Sequence, residues 1–344
     1  MTGPPTPLPE LRELEALIAA GGSRLDARRA GEVALGSQRL PLWVITLGNP
    51  APDRPGFGVF GGVHGLERIG AEVALAFLRS LVMRLRWDAT LERLLEDLRI
   101  VVMPLVNPGG LRLGTRANPH GVDLMRNAPV DGEDHLPWLL GGHRISPRLP
   151  WYRGPAGAPM QAEAQALCAV VEAELLPRPF SLVVDCHSGF GLHDRLWFPF
   201  AHTARPFPHL AELQAFCEIL DQSLPQHPYL VEPQSLQYRA HGDLWDHLVL
   251  QGERMAAAPV LLPLTLEMGS WLWVKKNPRQ LFSRLGLFNP LIGHRQQRVL
   301  RRHVAWLDFA ARAAASAARW LPQGDERARR HEAALARWYR TSAR

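Results

Sequence analysis

Apolar residues in this chain gather into short runs that stop at glycine, proline or a polar residue, and helical spacing follows several of them. The run FGVFGGV at 57–63 leads into RIGAEVALAFLRSLVMRL at 68–85, where apolar positions recur at helical intervals. LRIVVMPLV at 98–106 reads as a buried strand halted by Asn107, Pro108, Gly109 and Gly110. A Pro- and Gly-rich stretch over 128–160 reads as loop, and a helix is expected over about 161–176. FSLVVDC at 180–186 and VLLPLTLEM at 260–268 read as two further buried strands. A helix is expected near 294–320, and residues 321–344 as an exposed Arg- and Ala-rich tail beyond a catalytic domain of residues 1–320.

Strands alternating with helices predict one α/β domain with a mostly parallel, twisted mixed sheet flanked by helices. In such sheets ligands gather outside the carboxyl ends of the strands. Four chemically able residues fall at those places: His64 and Glu67 after the first run, His187 after DC at 185–186, and Glu267 near the end of the last.

Composition narrows the class. The 344 residues carry a net charge of +6, but residues 295–344 alone hold twelve Arg against four acids, so the remaining body is slightly negative. No nucleic-acid partner is implied, and the Arg surplus reads as a solvated helical face. No apolar stretch approaches the roughly 20 residues of a membrane span, and no secretory leader is readable, which points to a cytoplasmic protein. Cys168, Cys186 and Cys217 match no metal or disulfide spacing and are expected as small buried hydrophobes.

Two imidazoles and one carboxylate suit zinc and leave room for a water whose pKa falls from about 15.7 to roughly 7. His64 and Glu67, three apart in a tight turn, can reach one ion. A second such pair, His209 and Glu212, follows no strand and is set aside. A glutamate behind the apolar LLPLTL needs solvent or a positive partner, since a buried, unpaired carboxylate costs several kcal/mol.

With these motifs in this order, the chain resembles the zinc carboxypeptidase family over roughly residues 55–275. The resemblance implies one Zn2+ held by His64, Glu67 and His187, with Glu267 as general base. Within NPGGLRLGTRANPHGVDLMRN it implies Arg116 at the oxyanion and Arg126 on the substrate's terminal carboxylate. In YRAHGDLWD it nominates Tyr238 as the residue closing over substrate. Asp185 is a candidate to orient His187. The chain departs from the pattern at Met125, where an Asn usually shares the work of the carboxylate-gripping Arg, and at Trp245, which falls where the side-chain pocket is lined.

The implied activity is amide hydrolysis, as a metallocarboxypeptidase acting on peptides. The alternative is a zinc-dependent deacylase or amidase acting on N-acyl amino acids or cell-wall peptides. Metal binding without turnover would need neither Glu267 nor Arg116. Oligomeric state is not legible.

Overall fold

The computed structural model describes residues 8–134 and 136–340. Helix α1 (Pro9–Gly21) precedes a hairpin of β1 (Asp26–Leu35) and β2 (Gln38–Gly48). Then β3 (Gly56–Gly61) runs through α2 (Arg68–Arg84) and α3 (Ala89–Asp97) to β4 (Arg99–Met103). Short α4 (Pro108–Leu113) opens the long loop that ends at α5 (Ala162–Glu174), followed by β5 (Phe180–Ser188) and β6 (Arg195–Phe198). The second half holds α6 (Leu210–Ser223), β7 (Leu230–Pro233), α7 (Leu244–Glu253), β8 (Val260–Met268) and α8 (Trp271–Lys276). It closes with α9 (Gly293–Ala315), α10 (Ala317–Trp320) and α11 (Gly324–Trp338).

The eight strands form one sheet in the order β1-β2-β4-β3-β5-β8-β6-β7. Its centre, β4-β3-β5-β8, is parallel, and antiparallel pairs appear only toward the edges. This is the mixed, mostly parallel sheet expected from the sequence. Every residue of β3 and β5 is buried, as central parallel strands covered on both faces require. Pro263 is tolerated inside β8 because β6 pairs only with Thr265 to Glu267, leaving that edge of β8 free at the proline. From β3 the chain winds to β4 on one side and later to β5 on the other, so a crevice opens at the carboxyl end of β3.

Cys168, Cys186 and Cys217 are buried and unbonded, as expected. Among the described residues, no helix is long and apolar enough to cross a membrane.

Up to residue 340 the C-terminal segment differs from the exposed tail expected for 321–344, of which 341–344 lie outside the described residues. Residues 324–338 form α11, which packs on α6. Its Arg327 and Arg330 pair with Glu212 and Glu218 of α6 at 2.6 and 2.9 Å. Ala334 and Trp338 are buried, and the Trp338 indole donates to the Val231 carbonyl of β7 at 2.8 Å. An Arg- and Ala-rich face that looked solvated therefore spans two opposite tasks: its arginines meet acids across the interface and its few apolar residues cover the edge strand. Trp338 also meets Phe198 edge-to-face at 5.0 Å. Replacing Trp338 by Ala should destabilise the fold by about 3 kcal/mol, read as a lowered denaturant midpoint. An unchanged midpoint would mean that α11 contributes nothing to the folded body.

Candidate active site

The turn leaving β3 is fixed by its neighbours. Asn107 accepts from the Gly110 amide at 2.7 Å and donates to the Val63 carbonyl at 3.1 Å, anchoring the residue before His64 to the start of α4. At Gly65 a β-carbon would lie 1.9 Å from the Gly110 carbonyl carbon, so only glycine allows this approach. The Glu67 amide donates to the His64 carbonyl at 3.1 Å, which closes the turn and sets both side chains toward β5. There His187, expected just past the strand, is its penultimate residue and stands in register with Glu267 of β8.

Three groups converge at this point. Nδ1 of His64 lies 2.9 Å from Oε1 of Glu67, and Nδ1 of His187 lies 3.1 Å from Oε2. The two Nδ1 atoms are themselves 3.1 Å apart. On the outer side, Nε2 of His64 meets Asp123 at 3.1 Å and Nε2 of His187 meets Asp185 at 2.8 Å. Donation to these carboxylates places the ring protons on Nε2 and leaves lone pairs on both Nδ1 atoms. Two lone pairs and a carboxylate facing one another within 4.8 Å repel unless a cation joins them. The donor set is the one zinc takes, and His64, Glu67 and His187 would hold it.

Electrostatics agree with a cation site. Burial alone would depress His187, but the charge and hydrogen bond of Asp185, with Glu67, hold it well above the usual histidine range. Glu67 is held below the carboxylate range: the opposing penalty of burial is outweighed by the two imidazoles that face it, His64 first. Ser188 also donates its amide to Glu67 at 3.0 Å.

Arg116 joins the centre from the long loop, donating from Nη1 to Glu67 at 3.1 Å and from Nε to Asp123 at 2.8 Å. Asp123, fully buried, therefore serves His64 and Arg116 together, and these charges hold it well below the carboxylate range against its burial. Glu267 is 9% exposed, and its Oε2 has no hydrogen-bond partner. Burial, then the nearby Glu67 charge, raises it to about 8.

Of the expected residues, His64, Arg116, Arg126, Tyr238 and Glu267 line one cavity, together with Asp243. His187 lines it as well. Arg126 stacks beneath the Tyr238 ring at 5.6 Å. Its Nη1 donates to the Met125 carbonyl at 3.0 Å and its Nε to the Leu140 carbonyl at 3.3 Å, while the buried Nη2 has no partner. Tyr238 leans on Trp197 edge-to-face at 5.8 Å and on Phe190 at 6.3 Å.

Trp245 requires a correction, because it does not line the cavity as expected. It is buried against Phe60, and its indole donates to the same Asp185 oxygen that receives His187, at 2.9 Å. Trp245 lies inside the first turn of α7, where Asp243 caps the helix through the amides of Trp245 and Asp246. Asp243 lines the cavity instead. Asp123 was legible only as part of GVD, with no signal of its two partners. Of the pair set aside earlier, His209 precedes α6 and Glu212 pairs with Arg327.

A family model described as zinc carboxypeptidase matches residues 33–252. Carboxypeptidase SOL1 of Arabidopsis thaliana is 33% identical over 96 residues, covering 26% of this chain and 19% of that protein. Murein peptide amidase A of Escherichia coli (strain K12) is 32% identical over 126 residues, covering 36% of this chain and 46% of that one. The chain thus spans less than half the length of these curated relatives. In fold it is similar to thrombin activatable fibrinolysis inhibitor (TAFI), with TM-score 0.63 and 17% identity over 89% of this chain and 73% of that one. Carboxypeptidase A from Helicoverpa armigera gives 0.55 and 16% over 85% of this chain and 71% of that one.

Replacing His64, Glu67 or His187 by Ala should abolish stoichiometric zinc in the purified protein, measured by elemental analysis. Asp185→Asn should retain zinc but weaken it about 10- to 100-fold in a chelator competition. Full occupancy in any of the three alanine variants would remove that residue from the ligand set. Asp243 supplies a pH test: burial, with the Asp246 charge, raises it to about 7. A raised folded pKa contributes stability at low pH that is lost as pH rises through that value. Unfolding midpoints of the wild type should fall across about pH 7, and Asp243→Asn, which keeps a capping oxygen, should flatten that fall.

Proposed function

Because this chain belongs to the zinc carboxypeptidase family, we propose that it is a zinc-dependent hydrolase of amide bonds, acting as a metallocarboxypeptidase on the C-termini of peptides. The observation that carries the reading is Glu267: a buried carboxylate with a free oxygen, sharing one cavity with His64, His187 and two arginines. Metal binding alone has no use for it.

Zinc held by His64, Glu67 and His187 would supply Lewis acidity for a carbonyl oxygen and lower the pKa of water toward about 7. The chain's own residues do the rest. With no cation beside it, Glu267 is raised to about 8 by burial and Glu67; a bound zinc would favour the carboxylate and bring it toward the range from which it takes and gives a proton at neutral pH. Glu267 accepts the proton of the attacking water and returns it to the leaving amine. Arg116, fixed through Nε and Nη1, has an Nη2 with no hydrogen bond to a described residue. That free donor, preset by Asp123 and Glu67, meets the charge that develops on the carbonyl oxygen. Arg126 binds the substrate's terminal carboxylate through its unpartnered Nη2, under the Tyr238 ring.

A second reading, an amidase or deacylase on cell-wall peptides or N-acyl amino acids, is favoured by one feature. Met125 supplies no amide beside Arg126, and two of the three Arg126 nitrogens are already committed to carbonyls. Those carbonyls compete with a carboxylate for the donors of Arg126, which weakens the two-pronged pair that strengthens such recognition.

Glu267→Gln should keep zinc and fold yet lose nearly all turnover, because an amide cannot take the proton; retained activity would place the base elsewhere. The substrate test compares a blocked dipeptide with its C-terminal amide. Amidation should cost the wild type about 2–5 kcal/mol of recognition and Arg126→Ala little. Equal cleavage of both by the wild type would replace the exopeptidase reading with the amidase one.

A further inference from the structure

Where the resemblance sets an amide beside the carboxylate-gripping arginine, this chain has Met125, and the structure offers a replacement from another element. Gln234 opens the short turn Gln234–Leu236 that follows β7. It is 8% exposed and lines the same cavity as Arg126, Tyr238 and Glu267. Its side-chain amide makes no hydrogen bond to any described residue.

The backbone that carries it is held in place. The Gln234 carbonyl accepts from the amides of Gln237 and Tyr238 at 2.9 and 3.3 Å, and the Ser235 amide donates to the Phe200 carbonyl at 3.2 Å. The turn that positions Gln234 is therefore the one that delivers Tyr238 onto Arg126. On the other side Gly242 draws the same loop against Arg126: a β-carbon there would lie 2.0 Å from the Arg126 carbonyl oxygen.

We propose that Gln234 is the second hydrogen-bond donor for the substrate's terminal carboxylate, taking the place left by Met125. The proposal rests on the exopeptidase reading. With Nε and one Nη1 hydrogen committed to carbonyls, Arg126 is freest at Nη2, and a neutral donor from the cavity wall would complete the hydrogen bonds of the carboxylate. Asp243 and Glu267 are acids. The Trp197 indole is already committed to Glu232 at 3.1 Å. The Gln234 amide has the right chemistry, is free of protein partners, and stands one turn from the residue that covers Arg126.

The test uses the zinc-loaded full chain with the blocked dipeptide and its C-terminal amide. Gln234→Leu should raise KM for the free acid about tenfold, leave its kcat within about twofold, and leave kcat/KM for the amide unchanged. Gln234→Glu should be worse on the free acid, through like-charge repulsion. Adding Met125→Asn to Gln234→Leu should restore most of the lost affinity, an outcome that general damage to the fold could not give. Zinc content and unfolding midpoint, matched to the wild type, confirm that each variant is folded. A wild type that discriminates the two substrates, with Gln234→Leu discriminating equally well, overturns this proposal alone. Equal losses on both substrates, or no rescue by Met125→Asn, overturn it too. A wild type that ignores amidation overturns the exopeptidase reading, and this proposal with it.

Discussion

The rest of the site is organised around a repulsion. Two imidazole lone pairs and a carboxylate point into one small volume, and each partner around them serves to keep them there until a cation arrives. Asp123 and Asp185 hold the outer nitrogens and so decide which face of each ring is bare. Arg116 and the Ser188 amide share the charge of Glu67 without taking its place in the cluster. A group of acceptors this close would drift apart on a flexible loop. It stays together because its members sit at the ends of neighbouring parallel strands whose every residue is buried.

That arrangement explains the electrostatic split within the cavity. Glu67 and Glu267 are both buried glutamates, yet the first is held ionised by imidazoles and an arginine while the second, lacking a partner, is raised to about 8. The difference lies in position along the sheet. Glu67 is delivered by the turn after β3 into the cluster, whereas Glu267 stands one strand further on, paired in register with His187 but outside its hydrogen bonds. One carboxylate is thereby suited to hold a cation and the other to carry a proton.

The sequence made the centre of this molecule legible and the margins much less so. Strands β3, β4, β5 and β8 are continuous apolar runs, so their ends, and with them His64, Glu67, His187 and Glu267, could be located by inspection. The β1-β2 hairpin mixes arginines with apolar residues and its register shifts between Arg29 and Gly31, which blurs the alternation that marks an exposed strand. Strands β6 and β7 are four residues each, too short for any period to show. Asp123 and Trp245 escaped for a different reason: their partners are 59 and 60 residues away, and only folding reveals which polar group answers which. Helix α11 was hidden by composition, since its arginines look solvated until the acids of α6 are placed opposite them.

Asp123 carries a consequence for how such a chain can diverge. Because one carboxylate orients His64 and anchors Arg116 at once, a change there disturbs a metal ligand and an oxyanion donor in the same step. These three positions must be inherited as a block, and no path of single neutral replacements leads away from them. Met125 and Gln234 are under no such bond. Their side chains line the cavity and make no hydrogen bond to His64, Glu67 or His187, so a side-chain change at either leaves the hydrogen bonds of the centre in place. The wall around that centre is thus where a substitution can alter substrate range at least cost to the metal ligands.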